Sequence, residues 1–225
     1  MSAPDRHLCE PTEFLDYEST AVRDFLERAV ADRDRPQREQ AVDLYYAVRD
    51  GIQYEIYGAD LSRQGVRASE VVRRGRGLCI HKSVLFAAGA RGLGIPSRLV
   101  LVDVRNHLAS ARLRRILEGD VFRYHCYARI HLDGRWVKAT PVFSARLCQL
   151  YRMTPLEFDG ETDAVLQPFD EEGKTFMELI REHGEFDDLP YETLIDGLRR
   201  AHGALFDGLS KRVRPGSLVA EAGAG

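Results

Sequence analysis

The sequence predicts an α+β protein, a buried central helix on a small, mainly antiparallel sheet, with further helices wrapped around both ends. Three observations predict it. Residues 79–91 are helix formers with apolar side chains on most sides (Val84, Leu85, Ala87, Ala88, Ala90), as expected of a helix surrounded by protein. Residues 124–140 run as two extended stretches around Asp133-Gly134, a two-residue turn pair that joins a β-hairpin. Residues 19–50, 170–183 and 189–204 carry apolar side chains at helical spacing.

Taken in order, Ala21, Val22, Phe25, Leu26 and Ala29 mark a first helix, and Pro36 opens a second that Gly51 ends. Residues 52–57 are extended, and residues 68–72 form a short helical stretch leading into Gly75-Arg76-Gly77. Gly92 and Gly94 close the central helix, and the β-branched run at 98–104 is a buried strand. A connecting helix is expected over 108–117. In the hairpin, pairing Leu132 with Arg135 sets His131 opposite Trp136, Tyr127 opposite Thr140 and His125 opposite Val142. Cys126, Ala128, Ile130, Leu132, Val137 and Ala139 then share one apolar face, and Arg129 meets Lys138, a like-charge pair that counts against this register. No composition break divides the chain, so residues 1–209 are expected to form one domain, with a helical extension over 144–209 and a frayed tail over 210–225.

The net charge of −3 and pI near 6.2 give no bulk attraction to nucleic acid or to an anionic membrane. The arginine clusters at 73–76 and 112–115 read as solvated faces. Residues 1–20 have no apolar core of the kind a signal peptide or membrane span needs. The four cysteines lack the close pairs of a zinc or redox motif, so no metal, no cofactor and no disulfide framework are expected, and the setting reads as cytoplasmic.

One cysteine is placed differently from the others. Cys79 stands where a glycine turn becomes a helix, and free backbone N–H groups at a helix start favour a thiolate and can receive a developing oxyanion. His125 leads the hairpin, later in the chain. Gly77-x-Cys79, Gly94-Ile95-Pro96-Ser97-Arg98, and His125 followed by Asp133-Gly134-x-Trp136 together resemble the core of the transglutaminase-like superfamily over residues 52–143. A more distant relationship links that core to papain-like cysteine peptidases. The resemblance implies a transglutaminase-like fold in which Cys79 is the nucleophile and His125 the base. The family's third catalytic position, usually Asp, is Thr140 here, whose hydroxyl can orient an imidazole but cannot stabilise an imidazolium as a carboxylate does.

The expected reaction is acyl transfer from an amide or isopeptide bond through a thioester, with hydrolysis as the outcome. Amide-bond formation by an amine acceptor uses the same residues, and a non-catalytic binding protein that keeps the fold is the alternative of a different class. The substrate would be a peptide, a protein or a small amide. Gln53 is a candidate second oxyanion donor beside the Cys79 N–H. Trp136 and Tyr127 either line a substrate groove or cover the hairpin. His81, about 200° around the helix from Cys79, reads as a residue outside the reacting pair or at the surface, and His107 as a polar loop residue.

Overall fold

A computed structural model describes residues 3–56, 58–106, 114, 117–165 and 177–203. A 3-10 turn (Ala3–Cys9) is followed by α1 (Thr20–Ala29), α2 (Gln37–Gly51), β1 (Gln53–Tyr54), α3 (Ala68–Arg74), β2 (Arg76–Gly77) and α4 (Cys79–Gly92). Then come β3 (Ser97–Asn106), β4 (Val121–Leu132), β5 (Arg135–Ala139), α5 (Ala145–Tyr151), β6 (Met177–Phe186) and α6 (Tyr191–Ala201). The main sheet is antiparallel throughout in the order β5-β4-β3-β6, and β1 and β2 form a separate two-residue parallel pair.

Helix α4 explains the architecture. Every residue from Cys79 to Arg91 is buried, because the sheet strands β3 and β4 cover one side and α1, α2 and α3 the others. Its alanines and Gly89 let the neighbours approach: a side chain at 89 would meet Leu44 Cδ1 at 2.9 Å. On the sheet, Leu99 and Leu101 of β3 pair with Ala128 and Cys126 of β4, so small residues lie where the helix crosses.

The hairpin forms in the expected register from Leu132 opposite Arg135, through His131 opposite Trp136, to Ala128 opposite Ala139, but the expected pairs of Tyr127 with Thr140 and of His125 with Val142 are not part of the ladder. Asp133 (φ 49°) and Gly134 (φ 82°) both adopt the left-handed backbone that this turn requires. The Arg129–Lys138 juxtaposition is tolerated because each cation has its own partner, Glu185 for Arg129 and Asp163 for Lys138. The ladder stops at Ala139, where Thr140 N–H turns away to donate to the Ala164 carbonyl at 2.8 Å.

The helix expected over 170–183 is corrected: residues 177–186 are a strand, pairing antiparallel with β3 from Leu99↔Phe186 to Asn106↔Met177. Its apolar spacing suits a helix locally, but the open edge of β3 offers a full row of backbone partners and takes precedence. The C-terminal extension is therefore mixed rather than helical, with α6 as its last described element. Residues 170–176, His107, nearly all of the 108–117 segment and the 210–225 tail lie outside the described residues. Among the described residues no helix is long and apolar enough to cross a membrane.

Candidate active site

Cys79 is the first residue of α4, and the three residues that follow its neighbour Ile80 fasten the helix start in three directions. His81 Nδ1 accepts the Leu78 N–H at 3.1 Å, and Nε2–H donates to the Asp60 carbonyl at 2.9 Å. Lys82 Nζ donates to the carbonyls of Arg49 (2.8 Å) and Ile52 (2.6 Å) at the end of α2. Ser83 Oγ donates to the Cys126 carbonyl at 2.8 Å, tying the helix to β4. His81 is thus a buried anchor, not a surface residue; its ring satisfies one of the orphan donors of the helix start, and burial holds it neutral. Gly77 leaves room for that ring, since a side chain there would stand 2.5 Å from His81 Cβ. Gly77→Ala is expected to destabilise the fold by roughly 1–3 kcal/mol, measured by urea unfolding, and an unchanged midpoint would contradict this packing.

The Cys79 thiol is fully buried. Burial pushes its pKa up to about 11, opposed by the backbone amides of Cys126, Ile80 and Cys79 itself, which favour a thiolate. His125 is buried on β4, and loss of water takes its pKa down to about 4. At neutral pH the thiol and the imidazole are both uncharged. His125 Nε2 and Thr140 Oγ1 are buried without a hydrogen-bond partner, and neither bonds the other or Cys79 among the described residues. Two such orphans cost about 1–3 kcal/mol each. The rest of Thr140 is well held: its carbonyl accepts from the Tyr45 hydroxyl at 3.2 Å.

Gln53 is exposed, and its strand neighbour Tyr54 is the residue that turns inward. The pairing of Tyr54 with Gly77 brings β1 alongside the turn into Cys79. Burial first, and Cys79 next, raise the Tyr54 phenol well above its ordinary value. Its edge packs on Phe143 at 4.8 Å between ring centroids. Trp136 is covered by His131 (5.3 Å between centroids) and by the guanidiniums of Arg98 and Arg129, which makes it part of the hairpin's outer face. Tyr127 is buried, with its phenol pushed up by burial and by the nearby Glu182. Among the described residues no three His, Cys, Asp or Glu side chains are placed to hold a metal ion.

The family profile of the transglutaminase-like superfamily matches residues 23–141, a span that ends just after the Thr140 position. The chain belongs to the transglutaminase-like superfamily. The match reaches back beyond residue 52 to take in most of α1 and all of α2, the helix whose Tyr45 holds Thr140 and whose end receives Lys82. This family is one of cysteine-dependent enzymes, and Cys79, His125 and Thr140 all lie within the matched span. Among solved structures it is similar to a candidate cysteine protease from Cytophaga hutchinsonii, at 13% identity and a TM-score of 0.48 over 82% of this chain and 55% of that one. It is also similar to a TGase, at 19% identity and a TM-score of 0.39 over 54% of this chain and 30% of the other. A candidate protease from Parabacteroides distasonis gives 15% identity and a TM-score of 0.38 over 59% and 25%. The transglutaminase-like chain thus spans about half the length of the first of these proteins and less of the others. No curated protein matches it.

Proposed function

We propose that this protein is a cysteine-dependent acyl-transfer enzyme that hydrolyses an amide or isopeptide bond in a peptide, a protein or a small amide. The observation that carries the reading is the place of Cys79 as the first residue of α4, where backbone amides favour its thiolate, with α4 packed on β4, the strand that bears His125. Because both groups are neutral in the resting site, attack and proton transfer are coupled. The Cys79 sulfur forms its bond to the carbonyl carbon as its proton passes to His125, and the imidazolium returns that proton to the departing amine as the C–N bond breaks. Water, deprotonated by the same imidazole, then cleaves the thioester. An amine in place of water would give a new amide from the same intermediate. A reducing, cytoplasmic setting goes with this reading, since all four cysteines are free thiols.

The complete burial of Cys79 and the empty hydrogen-bonding sites on His125 and Thr140 favour a second reading, a binding protein that keeps the family fold without its chemistry. p-Nitrophenyl acetate, whose leaving group needs little protonation, separates the two. Under the enzymatic reading, acid-quenched protein carries one acetyl group on Cys79 by mass spectrometry, Cys79→Ala carries none there, and His125→Ala acylates about a hundredfold more slowly. Folded wild-type protein that never acylates at Cys79 would leave the binding protein as the function.

A further inference from the structure

A cavity of about 520 Å³ lies beyond the site, at the end of the sheet where β4 begins, and Cys79, His125 and Thr140 do not line it. Its floor is built from Asp103, Tyr124 and His183. Asp103 is 1% exposed, yet it gathers three donors: His183 Nε2 at 2.7 Å, Arg123 Nη1 at 2.7 Å and the Tyr124 N–H at 3.1 Å. The Tyr124 ring stacks flat on the His183 imidazole, 4.3 Å between centroids and 11° between planes.

This floor departs from regular structure on purpose-built lines. Pairing slips between Val102 and Val104 on the β4 side of β3, and twice on the β6 side, so that Asp103, Tyr124 and His183 come together at adjoining bulges. Tyr124 has φ 56°, a left-handed backbone that a non-glycine residue adopts only where its surroundings hold it there. One of those surroundings is α6, where a side chain at Gly197 would collide with the Tyr124 ring. Another is His202, whose ring accepts the Arg123 N–H at 2.9 Å and donates to the Leu117 carbonyl at 2.9 Å.

The walls carry three carboxylates, those of Asp103, Glu118 and Asp120, and three guanidiniums, those of Arg123, Arg181 and Arg200. Asp103 pairs with Arg123, and Asp120 lies 3.7 Å from Arg105. Arg181 and Arg200 line the same cavity from β6 and α6 and make no ion pair among the described residues. Two unmatched guanidiniums facing one space present forked donors suited to an oxyanion, and the Tyr124–His183 stack supplies a flat surface beside them. A volume of this size holds a small organic molecule.

We propose that this cavity binds a small molecule through a phosphate or carboxylate group held by Arg181 and Arg200, with Arg123 and the Asp103–His183 pair as its rigid floor. The test is thermal unfolding and calorimetric titration of the whole protein with inorganic phosphate, glycerol phosphate and citrate, each compared with chloride at equal ionic strength. The double variant Arg181→Ala/Arg200→Ala alters two exposed side chains and serves as the control for site. Saturable stabilisation by the phosphates alone assigns the site to phosphorylated ligands, and by citrate alone to carboxylates; in either case the double variant should bind at least tenfold more weakly. Stabilisation no greater than that of chloride, or equal in the double variant, would overturn the proposal. Acylation of Cys79 does not enter the readout, so failure here is separate from failure of the enzymatic reading.

Discussion

Replacing Thr140 by Asp is expected to raise the His125 pKa from about 4 to above its ordinary value near 6.5, and to speed acylation of Cys79 by roughly ten- to a thousandfold. The cause is electrostatic. Burial holds His125 neutral, and no carboxylate among the described residues offsets the lost water. A carboxylate at 140 would stand where a buried hydroxyl is now unpartnered, one residue past the end of the β4–β5 ladder. It would favour the imidazolium, and the imidazolium in turn would favour the Cys79 thiolate. The expected gain is below the loss of about 10⁴ seen when a serine triad loses its carboxylate, because a thiol depends less on a strong base. Imidazole titration by NMR and the rate of Cys79 alkylation at pH 7, with Cys9, Cys126 and Cys148 replaced, give two readouts that need no substrate. Thr140→Asn tests the same geometry without a buried charge, and should restore a hydrogen bond to the ring while leaving its pKa low. If the His125 titration is unmoved in a folded Thr140→Asp variant, the two residues do not face each other.

Local pattern carried the hairpin and α4 because their signals are local: a period of two around Asp133-Gly134, and an unbroken run of helix formers. The strand β6 was not legible in this way. Leu179 and Ile180 are exposed on it, its charges alternate with neither period, and only the free edge of β3 decides its conformation. The proposed reacting pair rests on the order of Cys79 and His125 in the chain, but its surroundings could not be read there. Tyr54 comes alongside the turn into Cys79 because β1 pairs with Arg76-Gly77 over two residues, a contact too short to leave a sequence pattern. The same holds for the Asp103–His183 floor, which exists because three slips of register bring three strands into one arrangement.

Lys82 shows the other limit of pattern, a charged residue inside the most buried helix of the protein, and it governs the second large effect. Stability is expected to rise with pH between about 7 and 9 by up to roughly 3 kcal/mol, at a slope approaching about 1.4 kcal/mol per unit. Burial draws the ammonium's pKa down to about 7, with Asp50 opposing the shift and Arg49 adding to it, while the unfolded chain keeps the ordinary value near 10.5. Below pH 7 both states hold the proton, and the folded state bears the full cost of a buried cation. Above pH 7 the unfolded chain binds more protons than the folded one, so raising the pH favours folding. The carbonyls of Arg49 and Ile52 still accept hydrogen bonds from the neutral amine, so the link between α2 and α4 survives deprotonation. Above pH 9 the Cys79 thiol acts in the opposite direction: its folded pKa of about 11 makes folding less favourable as unfolded thiols ionise. Urea unfolding at intervals from pH 7 to 9 should therefore give a rising midpoint in the wild type and a flat one in Lys82→Met, whose side chain fills similar space without a charge. A wild-type profile that is flat, or a slope retained in Lys82→Met, would mean that Lys82 stays protonated where it lies. The residue that fixes the start of α4 would then be a permanent buried cation, with the carbonyls at the end of α2 as its counter-charge.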